Sequence, residues 1–124
     1  MDLYSDIILD HYQHPRHAGA LKHPSVHVAE HNPLCGDTIQ LDVAITHGKV
    51  ADVGFVSSGC AISQAAMSML SENIIGKHVE EINALSNDSV FSLLQVPISP
   101  ARVKCALLGL AATKHALAEY ERKK

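Results

Sequence analysis

Hydrophobic and polar positions alternate most regularly between residues 39 and 57. Ile39, Leu41, Val43 and Ile45 are separated by Gln40, Asp42, Ala44 and Thr46, the period-two pattern of a half-buried strand. His47-Gly48 reads as a tight turn. Val50 to Ser57 then returns with Ala51, Val53 and Phe55 in alternation, so the two runs form a hairpin. Val26 to Glu30 is expected to add a third strand beside it. The flanking segments follow a helical period instead. Leu3, Tyr4, Ile7, Ile8 and Tyr12 share one face, with Asp2 as N-cap and Pro15 as stop, and residues 13–24 read as loop. After Gly59-Cys60, apolar residues recur every three or four positions (Ile62, Ala65, Ala66, Met69, Leu70, Ile74) until Gly76 closes the helix. His78 to Leu85 and Ser89 to Leu94 read as two short helices, the second preceded by the capping candidates Ser86, Asn87 and Asp88. Pro97 and Pro100 bracket a break. A long helix is predicted from Ala101 to about Glu121, with Ala106, Leu107, Leu110, Ala111 and Leu117 as its apolar face. A helix, then strands, then helices predicts an α+β fold with a small antiparallel sheet packed against helices. No repeat or linker interrupts residues 1–124, so a single domain is expected.

Composition agrees with that picture and narrows the function. The chain is 47% apolar and 19% charged, an ordinary globular balance. A formal net charge of −3 supplies no basic footprint, so nucleic acid is not an expected partner. The early apolar run contains Asp2, Asp6 and Asp10 and does not resemble a signal peptide. No stretch has the roughly 18 apolar residues of a membrane span. A cytoplasmic protein with reduced thiols, monomeric or weakly oligomeric, is the expectation.

The three cysteines carry the candidate chemistry. Cys35 lies in the turn-rich loop Asn32-Pro33-Leu34-Cys35-Gly36-Asp37, Cys60 at the passage from strand to helix, and Cys105 about one turn into the last helix. None sits in the middle of an apolar stripe, where a cysteine acting only as a small buried hydrophobe is usually found. A thiol at a helix N-terminus faces unpaired N–H groups and the positive end of the helix dipole, which favour thiolate. Lys104 and Arg102 place positive charge near Cys105, and Lys104 is a candidate for tuning its thiol. Asp37 follows Cys35 with one glycine between, so its carboxylate can turn toward the same point. Three thiolates and one carboxylate make a sensible tetrahedral zinc shell. They also suit an iron–sulfur cluster that is held loosely, because a permanent cluster usually has four cysteine ligands. Spacing alone does not establish convergence, and no C-x-x-C pair is present.

Four segments, in order, resemble a known family, the U-type iron–sulfur scaffold proteins (the NifU N-terminal domain, IscU and SufU). Asp10-His11-Tyr12-Gln13-His14-Pro15-Arg16 is similar to the family's D-H-Y-x-x-P-R segment, and Asn32 to Asp37 to its N-P-x-C-G-D loop. Gly59-Cys60-Ala61-Ile62-Ser63 resembles its G-C-x-I-S helix start, and Ala101 to Cys105 its third cysteine motif. The resemblance implies a three-stranded sheet carrying the helices, with Cys35, Asp37, Cys60 and Cys105 meeting at an exposed edge as ligands of a [2Fe–2S] cluster, iron or zinc. It implies a pyridoxal-phosphate cysteine desulfurase as sulfur donor, Cys35 as persulfide acceptor, and apo-iron–sulfur proteins as recipients.

The branches of the family pull in two directions. Lys104 stands where the IscU branch has a histidine, and Ile98-Ser99-Pro100-Ala101-Arg102 replaces the L-P-P-V-K stretch read by a dedicated chaperone. Both features resemble SufU, a zinc-dependent sulfurtransferase. The 44 residues between Cys60 and Cys105 match the short IscU interval, without the extra segment of SufU. The short interval favours the scaffold reading, with the sulfurtransferase and a zinc-binding adaptor without sulfur chemistry as alternatives. Six histidines (His11, His14, His17, His23, His27, His31) fall close together, but their irregular spacing favours solvated or hydrogen-bonded side chains over a second metal site. Met67 and Met69 read as core filler.

Overall fold

In the computed structural model, the described residues are 6–32, 36–95 and 98–123. They form three strands, β1 (Val26–Asn32), β2 (Asp37–Thr46) and β3 (Lys49–Ser58), in one sheet of order β1-β2-β3. Both pairings are antiparallel. The helices are α1 (Asp6–Gln13), α2 (Ala61–Ile74), α3 (Val79–Asn83), α4 (Asn87–Leu94) and α5 (Val103–Lys123), with a 3₁₀ turn at Pro100–Arg102 before α5. The α+β architecture expected from the sequence is present. No helix among the described residues is long and apolar enough to cross a membrane.

One face of the sheet carries the core. Ile39, Leu41 and Val43 are fully buried on β2, and helix α5 lies across β1 and β2 while α2 packs against α5. Fully burying an aliphatic side chain of this size contributes about 1.5–3 kcal/mol, which explains why the period-two run fixes the register. Met67 and Met69 are buried in the same core.

The third strand departs from the simple alternation. The β2–β3 register passes from Ala44↔Asp52 to Ile45↔Val50, which leaves Ala51 as the extra residue of a bulge. Val50 and Val53 are therefore both buried, and Ala51 is exposed. A second difference lies in α1. Residues 1–5, including the predicted N-cap Asp2 and the apolar positions Leu3 and Tyr4, lie outside the described residues. Within the described helix Ile8 and His11 are buried, whereas Tyr12 is exposed. Helix α4 begins two residues earlier than predicted, with Ser86 as N-cap and its amide donating to Ser89 Oγ (3.2 Å). On α5, Ala111 is exposed, and Gly109, Ala112, Thr113 and Ala116 are buried because the helix packs against both α2 and the sheet.

The loop after α1 crosses the opposite face of the sheet. The Gly19 amide donates to Phe55 O (2.7 Å) and the Phe55 amide to His17 O (3.1 Å). Below this loop, Asp42 accepts the Leu21 amide (3.0 Å) and lies 2.5 Å from His27 Nδ1. Gly54, opposite Asp42 in the ladder, leaves room for the loop backbone.

His11 anchors the same segment to α2. Ser68 Oγ accepts the Arg16 amide (2.9 Å) and lies 2.7 Å from His11 Nδ1. The network is satisfied when Ser68 donates to Nδ1 of a neutral imidazole and Nε2–H faces Glu72 (3.6 Å). Burial lowers the His11 pKa from the ordinary 6.5, helped by the Arg16 charge and opposed by Glu72 and Asp10. The unfolded chain therefore binds this proton more readily than the folded one. The resulting stability is complete above about pH 6.5 and is lost as pH falls below it, by at most about 1.4 kcal/mol per pH unit. Urea midpoints of the parent and His11→Gln should converge as the pH is lowered from 7.5 to 5.5. A constant difference would remove His11 as the source.

Candidate metal and cluster site

The site forms where the sheet hands the chain to α2. Asp37, expected in the loop before the hairpin, is the first residue of β2 and pairs with Asn32 of β1. It is 1% exposed. The last β2–β3 pair is Thr38↔Ser58, so Gly59 and Cys60 leave β3 beside Asp37. Cys60 is the N-cap of α2, with extended backbone, and its side chain makes no capping hydrogen bond. Its amide donates to Asp37 Oδ1 (3.0 Å), while its sulfur lies 3.3 Å from Asp37 Oδ2. The Cys60 carbonyl accepts from Ser63 Oγ (3.0 Å) and the Gln64 amide (3.3 Å), which ties the cysteine into the first turn of α2.

Cys105 enters from α5. It is buried, and its position in the first turn of that helix puts its sulfur beside the other two groups. One ligand atom each from Asp37, Cys60 and Cys105 lie within 4.8 Å of one another. Zinc bonds of about 2.3 Å to sulfur and 2.0–2.2 Å to oxygen set tetrahedral ligand atoms roughly 3.4–3.8 Å apart. The observed set needs to contract by at most about 1.4 Å, so its geometry and its sulfur–carboxylate chemistry both fit an ion. This is the one such group of His, Cys, Asp or Glu side chains found among the described residues.

Three of the four expected ligands therefore converge from β2, the α2 N-terminus and α5. The fourth, Cys35, lies outside the described residues. The edge is less open than the resemblance implied, because Asp37 and Cys105 are buried and only Cys60 is partly exposed. Lys104 is exposed and lines a groove of about 310 Å³ with Glu30, His31, Asn32, Leu107 and Leu108. Arg102 is exposed on the 3₁₀ turn just before α5.

Three of the six clustered histidines have other partners. His11 meets Ser68, His27 meets Asp42, and His17 approaches Asp52 (3.9 Å). The His115 contact with Glu30 (2.5 Å), which joins α5 to β1, was not foreseen from the sequence. No short-range pattern marks it, since the two residues are 85 positions apart.

The sequence matches the NifU-like N terminal domain family over residues 3–124. It is similar to the iron–sulfur cluster assembly scaffold protein IscU of Haemophilus influenzae, with 34% identity over 97% of each chain. It is also similar to the zinc-dependent sulfurtransferase SufU of Bacillus subtilis, with 36% identity over 96% of this chain and 92% of that one. The SufU alignment runs over 138 positions, more than the whole of this chain, so the Bacillus protein has extra residues within the match. The crystal structure of a nitrogen-fixing NifU-like protein (N-terminal) from Brucella abortus superposes with a TM-score of 0.81 over 97% of this chain and 95% of that one. At 24% identity that likeness establishes the fold.

Proposed function

The chain belongs to the NifU-like N-terminal domain family, and from that premise we propose that it is an iron–sulfur cluster assembly scaffold. Its cargo is a labile [2Fe–2S] cluster bound by Cys35, Cys60 and Cys105, with Asp37 as the fourth ligand. The sulfur donor is a pyridoxal-phosphate-dependent cysteine desulfurase, and the recipients are apo-iron–sulfur proteins. The observation that supports this most is the meeting of Asp37, Cys60 and Cys105 from three separate elements. The Asp37 bond to the Cys60 amide accounts for one carboxylate oxygen, and packing alone does not call for two sulfurs beside the other.

In the sulfur-transfer step, the Cys35 thiolate attacks the outer sulfur of the desulfurase persulfide. A new S–S bond forms on Cys35, the enzyme's S–S bond breaks, and the desulfurase thiolate leaves. An external electron donor then reduces that sulfur to sulfide. The carboxylate of Asp37 is a harder ligand than a fourth thiolate, so the cluster is bound for release and not for storage.

A second reading is a zinc-dependent sulfurtransferase in which Cys35, Asp37, Cys60 and Cys105 hold zinc and Cys35 accepts the sulfur. The lysine before Cys105 and the similarity to the Bacillus SufU favour it. Anaerobic incubation with ferrous iron, cysteine, a reductant and a cysteine desulfurase separates the two. The scaffold reading expects sulfide-to-iron charge-transfer bands on this chain that move to an added apo-ferredoxin. Stimulated desulfurase turnover, dependent on Cys35 and zinc and with no such bands, would replace it with the sulfurtransferase.

A further inference from the structure

We propose that Gly59 is a positioning residue that lets Asp37 divide its carboxylate, one oxygen tied to the backbone and the other offered to the bound ion. The inference rests on the scaffold reading only for the identity of the cargo. The two oxygens already have different surroundings. Oδ1 accepts the Cys60 amide (3.0 Å), and Oδ2 lies 3.3 Å from the Cys60 sulfur.

Gly59 makes that placement possible. Its φ is +136°, a backbone conformation that side-chain-bearing residues rarely adopt. A Cβ at this position would lie 2.0 Å from Asp37 Oδ1, 2.5 Å from its Cγ and 2.9 Å from its Cα. Rotating the carboxylate away relieves the first two contacts but not the third, which is with backbone. The Thr38↔Ser58 pair, one residue earlier in the β2–β3 ladder, limits how far the strands can separate. Any side chain here therefore displaces the carboxylate from the Cys60 amide, the ion, or both.

The arrangement has a consequence for release. The oxygen held by the amide is withdrawn from the ion, so Asp37 binds through one oxygen and is the more readily exchanged for it. Because the amide belongs to Cys60, movement of that residue also moves Asp37. Two of the ligands are thus mechanically linked, and they loosen together when the first turn of α2 shifts.

The test uses Co²⁺ alone as the probe and amide exchange at Cys60 in the metal-free protein. Gly59→Ala should accelerate exchange of the Cys60 amide by about ten- to hundredfold and weaken Co²⁺ binding by about tenfold or more. The thiolate-to-cobalt charge-transfer intensity at saturation should match the parent, since the sulfurs remain. In an Asp37→Ala background, adding Gly59→Ala should weaken Co²⁺ binding clearly less than it does in the parent, because the backbone contact and strain remain but the group it positions is gone. Asp37→Asn retains an oxygen acceptor and should keep the Cys60 amide protected, whereas Asp37→Ala should expose it. This arm tests the premise, the hold of Asp37 on the Cys60 amide, even if Gly59→Ala does not fold. An equal loss of affinity in both backgrounds would mean general backbone strain and overturn the proposal. So would Cys60 exchange that is the same in Asp37→Ala as in the parent. Failure to assemble a cluster from iron and sulfide would instead remove the scaffold reading and leave the cobalt and exchange results standing.

Discussion

Replacing Asp37 with alanine is expected to lengthen the lifetime of the assembled cluster. The carboxylate is the hardest and most exchangeable group in the proposed ligand set, and it is the member that protonation or water most easily displaces. Asp37 is 1% exposed, so a methyl group at this position replaces an ionisable arm with hydrocarbon in a site that is already largely closed. An increase on the order of tenfold requires only about 1.4 kcal/mol of differential stabilisation. The metal-free protein should respond differently. Cys60 loses the charged acceptor of its amide, a bond of about 1.5–3 kcal/mol when fully enclosed and less where water reaches it, as it does at this half-exposed residue. The decay of visible absorbance after removal of free iron and sulfide reads the first effect. A variant that sheds its cluster faster than the parent would contradict the view that Asp37 confers lability.

Gly54→Ala should destabilise the fold without touching the site. A Cβ at Gly54 would stand 2.4 Å from Gly19 O and 3.1 Å from Leu21 Cγ. The leucine side chain can rotate, but the carbonyl belongs to a loop held by the Gly19 amide on Phe55 O and the Phe55 amide on His17 O. The Leu21 amide on Asp42 holds the next stretch of the same loop. Retreat of the loop costs these bonds, and retreat of β3 costs its ladder with β2. Overpacking of this kind costs about 1–3 kcal/mol, more than the small gain in strand propensity from removing a glycine. Urea unfolding should show a lower midpoint with an unchanged slope, while the folded fraction binds Co²⁺ as the parent does. An unchanged midpoint would show that the loop is not pinned.

These effects also show which parts of the molecule the sequence reveals. The hairpin is legible because Ile39, Leu41, Val43 and Ile45 alternate within one element, and a one-residue slip would expose all four. The α2 start at Cys60 is legible for a similar reason, since Gly59 ends one period and Ile62 begins another. The bulge at Ala51 is not, because a single extra residue leaves local apolar content unchanged and merely flips which residue faces inward. His11 rather than Tyr12 is buried because Ser68, 57 residues away, supplies a hydrogen-bond partner that no local pattern displays. The site divides in the same way. Each ligand announces itself by its position at a junction, but the meeting of Cys60 with Cys105 depends on how α5 lies across the sheet. Only the order of the four family-like segments pointed to that meeting. Gly59 is visible in the sequence as the residue before Cys60, yet its closeness to Asp37 depends on the β2–β3 register.

The most direct test of the central claim, that side chains distant in sequence bind a single ion, is a Co²⁺ titration of the parent and its Cys35→Ser, Cys60→Ser and Cys105→Ser variants under anaerobic conditions. Thiolate-to-cobalt charge transfer should saturate at one ion per chain in the parent and lose about one third of its intensity in each variant, because three thiolates share a tetrahedral centre. Full intensity after removal of the Cys60 or Cys105 sulfur, or a parent that binds no cobalt through sulfur, would contradict it.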